Sequence, residues 1–244
     1  MLINGVDMNI KITRTPEAFY LLAPNDDTKV RIKILDATLF VTQVELKPPL
    51  PLDHAVLAMK RKAHYPVTHT QIKTFTASSG TQQISINNAF IGPVPDRILI
   101  VLVKNAAFVG SASTNHFHFY HYDMTNLLYV NGVQQPFEQL TMDCSSTFGV
   151  TSAYETLFSS IGIHHDDRAH MITLEIFTKC FYILGFYLTP DRVSDEGHIR
   201  FPHQENVGIE TLFKNPVPEP VTCVLYAEFS GHIEIDHSRN VTVE

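Results

Sequence analysis

Residues 221–236 read VTCVLYAEFSGHIEID, and the placement of apolar side chains in this stretch decides the fold class. Val221, Cys223, Leu225, Ala227 and Phe229 fall at every second position, so in an extended chain they share one face. Ile233 and Ile235 then face away from His232, Glu234 and Asp236. Period two sustained over this length predicts two half-buried strands, 221–229 and 232–236, with Leu225, Phe229, Ile233 and Ile235 as structural core positions.

Working outward, Ile98 to Val103 is apolar at every position, the pattern of a strand covered on both faces and lying at the centre of the module. Val67–Phe75, Gln82–Asn87, His116–Tyr122, Asn126–Val130, Phe181–Leu188 and Val207–Phe213 are further strand candidates. Asn131-Gly132 after LLYV signals a type I′ hairpin. From Val30 to Leu46 the apolar phase changes twice, which predicts a long strand with bulges or bends at a sandwich corner. Two short helices break the pattern. Leu52, Ala55, Val56 and Met59 share a face, which suits a helix lying across the end of a sandwich. The second runs from the capping box Ser152-Ala-Tyr-Glu155 through Tyr154, Leu157, Phe158 and Ile161 to a stop at Gly162. Many short strands without βαβ alternation give an all-β class, a jelly-roll β-sandwich with two short helices in its connections.

Composition removes several function classes. Hydrophobic residues make up 44% of the 244 positions, enough core formers to exclude disorder over most of the chain. A net charge of -7 with no cluster of Lys and Arg argues against a nucleic-acid surface, so no sequence-specific nucleic acid is expected as partner. Cys144, Cys180 and Cys223 are widely spaced and read as reduced core thiols rather than a metal knuckle or redox pair. The start MLINGVDMNIKI lacks a basic region followed by an apolar stretch, and no apolar run is long enough for a membrane span. Secretion by a signal is therefore not expected, and Asn240-Val-Thr242 reads as a chance glycosylation match.

The sharpest chemical candidate is Gly110-SASTN-His116-Phe-His118, which has the spacing of the cupin metal motif. Histidines at i and i+2 on a strand point the same way and can share a metal. The third ligand is missing: Asp123 has the wrong parity, and burial of Phe117 and Phe119 would turn His116 and His118 outward. His164-His165-Asp166-Asp167 with His170 reads as a solvated loop rather than a converging acid/base site. Neither a nucleophile motif nor a phosphate loop is present, so no catalytic residue, metal or cofactor is expected.

Segment 1–28 stands apart, with two apolar runs (Ile10 and Ile12; Ala18 to Leu22) followed by the polar linker PNDDT at Pro24–Thr28. With this boundary, NGVDMNIKITRTPEAFYLL (4–22), KVRIKILDATLFV (29–41), HFHFYHYDMTNLLYVNG (116–132), YETLFSSIGIHHDD (154–167), LTPD (188–191) and VLYAEFSGHIEIDHSRNV (224–241) appear in the order and spacing of a known family. The chain resembles the double-jelly-roll major capsid protein of Maverick/Polinton elements and the related adintoviruses. It departs from the family's usual residues at Cys180, Tyr187, Glu205 and Gly208. The resemblance implies that 1–28 is the end of a mostly missing first jelly roll plus linker and that 29–244 is the second. It further implies a non-enzymatic, hexon-like homotrimeric capsomer whose partners are itself, neighbouring capsomers and penton or minor capsid proteins. Its place would be the virion, and the cell interior before assembly. A cupin-like metal-dependent enzyme and a host-domesticated binding jelly roll remain alternatives, separable by elemental analysis and by a glycan array.

Overall fold

A computed structural model describes residues 6–23, 31–130, 132–141, 147–163, 167, 170–189 and 204–243. The chain divides into two compact units. One comprises Met1–Glu17, Lys29–His69 and Ser230–Glu244, the other Ala18–Thr28 and Thr70–Phe229.

The strands, in chain order, are β1 (Ala63–Ala77), β2 (Gln83–Pro93), β3 (Arg97–Lys104), β4 (Met124–Val130), β5 (Val133–Thr141), β6 (Leu184–Tyr187), β7 (Gln204–Phe213), β8 (Val221–Ile235) and β9 (Val241–Val243). The helices are α1 (Glu17–Tyr20), α2 (Leu50–Lys60), α3 (Asn105–Val109), α4 (Thr147–Ser160) and α5 (Leu174–Lys179). One sheet has the order β1-β8-β3-β6 with β9 added to β8, and the other has β2-β7-β4-β5. The neighbours β1–β8, β2–β7, β3–β6 and β4–β5 nest around the β4–β5 turn. That is the pattern of a long hairpin rolled into two sheets, the eight-stranded jelly roll with two Greek keys. At its tip Val130 pairs with Val133 and Gly132 takes φ 77°, a two-residue hairpin connection at the position where LLYV-Asn-Gly predicts one, with Asn131 outside the described residues.

The core lies in the second unit. β3 contributes Ile98, Ile100 and Leu102, and β8 contributes Cys223, Leu225, Ala227 and Phe229, all buried. β7 and β4 supply Val207, Ile209, Met124 and Leu128 from the other sheet. Burying each large aliphatic side chain contributes about 1.5–3 kcal/mol. β3 is an inner strand, yet only alternate residues along most of it are fully buried, and Leu99 and Val101 on its other face are half-covered. α4 packs over β6 and β3, and Arg97 ties these elements together. Its Nε donates to Glu228 Oε2 on β8 at 2.5 Å and its Nη1 to the Ser160 carbonyl at the end of α4 at 3.2 Å. A guanidinium at that end also meets the negative pole of the helix.

Several expectations are corrected. Residues 31–46 form no strand; with two phase changes no register can bury one face, and Leu35 and Phe40 stand in solvent. The 116–122 stretch is a set of turns with a single bridge, Phe119 to Phe181. The Asn115 side chain accepts from the Phe117 N–H, and Tyr122 and Asp123 both have positive φ, which ends any pleat. The two terminal strands are one continuous β8. α4 starts at Thr147, so Ser152 and Glu155 lie inside it rather than forming a capping box, while the stop at Gly162, φ 74°, is where the sequence put it. α3, α5 and the single turn α1 add to the two foreseen helices, and residues 6–16 hold no strand.

Candidate functional site

The structure separates the two histidines singled out by spacing. His116 is buried, its Nδ1 donates to the Ala107 carbonyl of α3 at 2.5 Å, and its ring stacks on Phe19 with centroids 4.5 Å apart. His118 lies on a different set of neighbours: Nε2 donates to the Lys179 carbonyl of α5 at 3.1 Å, and the ring stacks on Tyr120 at 4.1 Å. Phe117, expected inside, is exposed, so the packing of 116 and 117 is the reverse of the sequence expectation. A turn replaces the strand, and the imidazole is the one ring of the pair able to satisfy the Ala107 carbonyl. Each histidine is held by a separate backbone carbonyl, and neither belongs to a set of three or more His, Cys, Asp or Glu side chains converged for a metal among the described residues.

His164, His165 and Asp166 lie outside the described residues, Asp167 is exposed, and His170 sits between Tyr154 and Phe158 with Nδ1 accepting from the Ile172 N–H at 3.2 Å. Of the cysteines, Cys144 is outside the described residues, Cys180 is partly exposed, and Cys223 is fully buried, with burial pushing its thiol up to about 12. Leu225, Phe229 and Ile235 are buried, and Ile233 is half-buried.

Two further features belong to the first unit. The first is a surface. In the first unit Ile235 alone is buried among the described residues, while Met8, Ile12, Leu35, Phe40, Leu52 and Met59 are 62–91% exposed. Scattered exposed aliphatics are ordinary, but a unit with this many and a single buried side chain among its described residues leaves most of its apolar surface uncovered.

The second is a side-chain cluster in the same unit. His64 on β1 and His232 and Glu234 on the neighbouring β8 bring one ligand atom each within 4.8 Å of one another. Glu234 Oε1 is 3.3 Å from His64 Nδ1 and 3.6 Å from His232 Nε2, while its Oε2 accepts from Lys62 Nζ at 2.5 Å. That hydrogen bond, first among the causes, holds the Glu234 carboxyl below its ordinary range. The i, i+2 spacing of His232 and Glu234 was legible; the third member, far away in the chain, was not.

No family model matches the chain. It is 27% identical to an uncharacterized protein of Caenorhabditis elegans over 97% of its own length, and it spans 58% of that relative. Among solved structures, a chain of the Sputnik virophage aligns over 75% of this chain and 39% of its own, with 10% identity and a TM-score of 0.48. A chain of the PBCV-1 virus capsid aligns over 75% of this chain and 51% of its own, with 8% identity and a TM-score of 0.41. Among the described residues no helix is long and apolar enough to cross a membrane.

Proposed function

We propose that this chain is a structural module of a viral-type capsid of the Maverick/Polinton double-jelly-roll kind, which assembles with further jelly rolls into trimeric, hexon-like capsomers. The observation that carries the reading is the unsatisfied apolar surface of the first unit, with Ile12, Leu35 and Phe40 at 85–91% exposure, while the second unit has a core of its own. Apolar side chains in that number need a covering surface, and a shell protein obtains it from other copies and other jelly rolls. The order of family-like segments along the sequence supports the same reading. In this role the work is done by shape, burial and symmetric contact; the partners are further copies, adjacent capsomers and penton or minor capsid proteins, and the destination is the virion.

Sedimentation velocity and negative-stain microscopy of the full chain test it. A discrete species with three-fold symmetry is the expected result. A monodisperse monomer up to the solubility limit overturns the proposal.

A further inference from the structure

We propose that His64, His232 and Glu234 form a binding site for a divalent transition metal, zinc by preference, that clamps β1 to β8. The three side chains lie on adjacent strands of one sheet, and His232 and Glu234, two residues apart, share a face. The distances favour a metal over a hydrogen bond. N–H···O bonds cluster at about 2.7–3.2 Å, whereas the two imidazole nitrogens stand 3.3 and 3.6 Å from Glu234 Oε1. Zinc bonds of about 2.0–2.2 Å set neighbouring donors of a tetrahedron about 3.3–3.6 Å apart, which is the spacing of Glu234 Oε1 from each imidazole nitrogen, and the three donors all lie within 4.8 Å of one another.

The donor set is chemically apt. Two neutral imidazoles and one carboxylate suit zinc and its neighbours in the first transition row, while calcium and magnesium favour all-oxygen sites. Lys62 holds the second carboxylate oxygen and so turns Oε1 toward the histidines, the orienting part played by outer partners in metal sites. His64 and His232 are 59% and 41% exposed, so an ion reaches the cluster from solvent, and a fourth position remains for water or a donor from another molecule. The inference does not depend on the capsid reading, because the ligands all belong to one chain.

The experiment titrates Zn²⁺, with Mg²⁺ as control, into the metal-stripped full chain by calorimetry, and follows Co²⁺ by its visible ligand-field absorption. One equivalent of Zn²⁺ should bind, Mg²⁺ should not compete, and Co²⁺ should give the intense bands of a site with fewer than six ligands. His64→Ala, His232→Ala and Glu234→Gln should each weaken Zn²⁺ by more than about 10-fold, since outer partners alone are worth about 10–100-fold. His118→Ala should leave binding intact and serves as the matched histidine control. Circular dichroism confirms that each variant keeps its sheet. Absence of saturable Zn²⁺ binding to the wild-type chain, or equal binding by the folded His64→Ala/His232→Ala double variant, overturns the proposal.

Discussion

At Cys223 a single thiol couples the core to pH. Its side chain is fully buried on β8, and burial alone pushes the thiol up to about 12. An exposed cysteine in the unfolded chain releases its proton near pH ~8.5. Between roughly that pH and 12 the unfolded state has lost a proton that the folded state keeps, so folding stability falls as pH rises across this window. Urea titrations at pH 8 and pH 10 should show a smaller alkaline loss for Cys223→Ala than for wild type; parallel losses would mean that the thiol is not buried. Two residues along the same face, Leu225 is also fully buried, and Leu225→Ala should cost about 2–5 kcal/mol. A loss below about 1 kcal/mol would mean that this face of β8 is not in the core. Both positions were legible because strict alternation leaves no choice of face. His116 was not, because its burial depends on the Ala107 carbonyl, the Phe19 ring and a turn, none of which has a periodic signature.

Elements were legible where one face is buried by neighbours in the sheet, as in β3, β4 and β8, and where a turn has its own chemistry, as at Gly132. β5 was missed because Val133-Gln-Gln-Pro does not alternate; its place follows from the hairpin, not from its own side chains. α4 shows how a helix is read one position out. The expected stripe was Tyr154, Leu157, Phe158 and Ile161, but the buried positions are Val150, Ala153, Leu157 and Ser160. Small residues on that stripe let the helix approach β6, where Gly185 pairs with Leu99. A Cβ placed on Gly185 would lie 2.2 Å from Ser160 Cβ and 1.9 Å from its Oγ, closer than any rotamer change relieves. Gly185→Ala should therefore destabilise by about 1–3 kcal/mol or more through overpacking. Adding Ser160→Gly should return part of the loss, a coupling readable in a double-mutant cycle. Simple additivity of the two substitutions would mean that helix and strand do not meet at this pair.

For the whole molecule, the contrast between the units is the informative fact. The second unit contains most of the jelly-roll strands and the continuous core, and residues 18–23 contribute to it: Phe19 stacks on His116, and the Ala23 N–H donates to the Ala112 carbonyl at 2.7 Å. The first unit holds apolar side chains that nothing within it buries; at Met8, Ile10 and Ile12 this is legible in a segment that stands apart from the jelly-roll strands, whereas at Leu35 and Phe40 periodicity predicts a strand and cannot report whether a partner is there to cover it. If that surface exists for association, removing its apolar character should abolish assembly and spare the fold. Ile12, Leu35 and Phe40 are 89%, 85% and 91% exposed, so truncating them removes little buried area. The triple variant Ile12→Ser/Leu35→Ser/Phe40→Ser should keep its urea stability within about 0.5 kcal/mol of wild type, the usual range for surface positions. In sedimentation velocity the same variant should run as a monomer under conditions where the unaltered chain associates. A variant that unfolds while its remaining folded fraction still associates would show that these side chains serve the unit's own packing, and the association surface would then have to lie elsewhere.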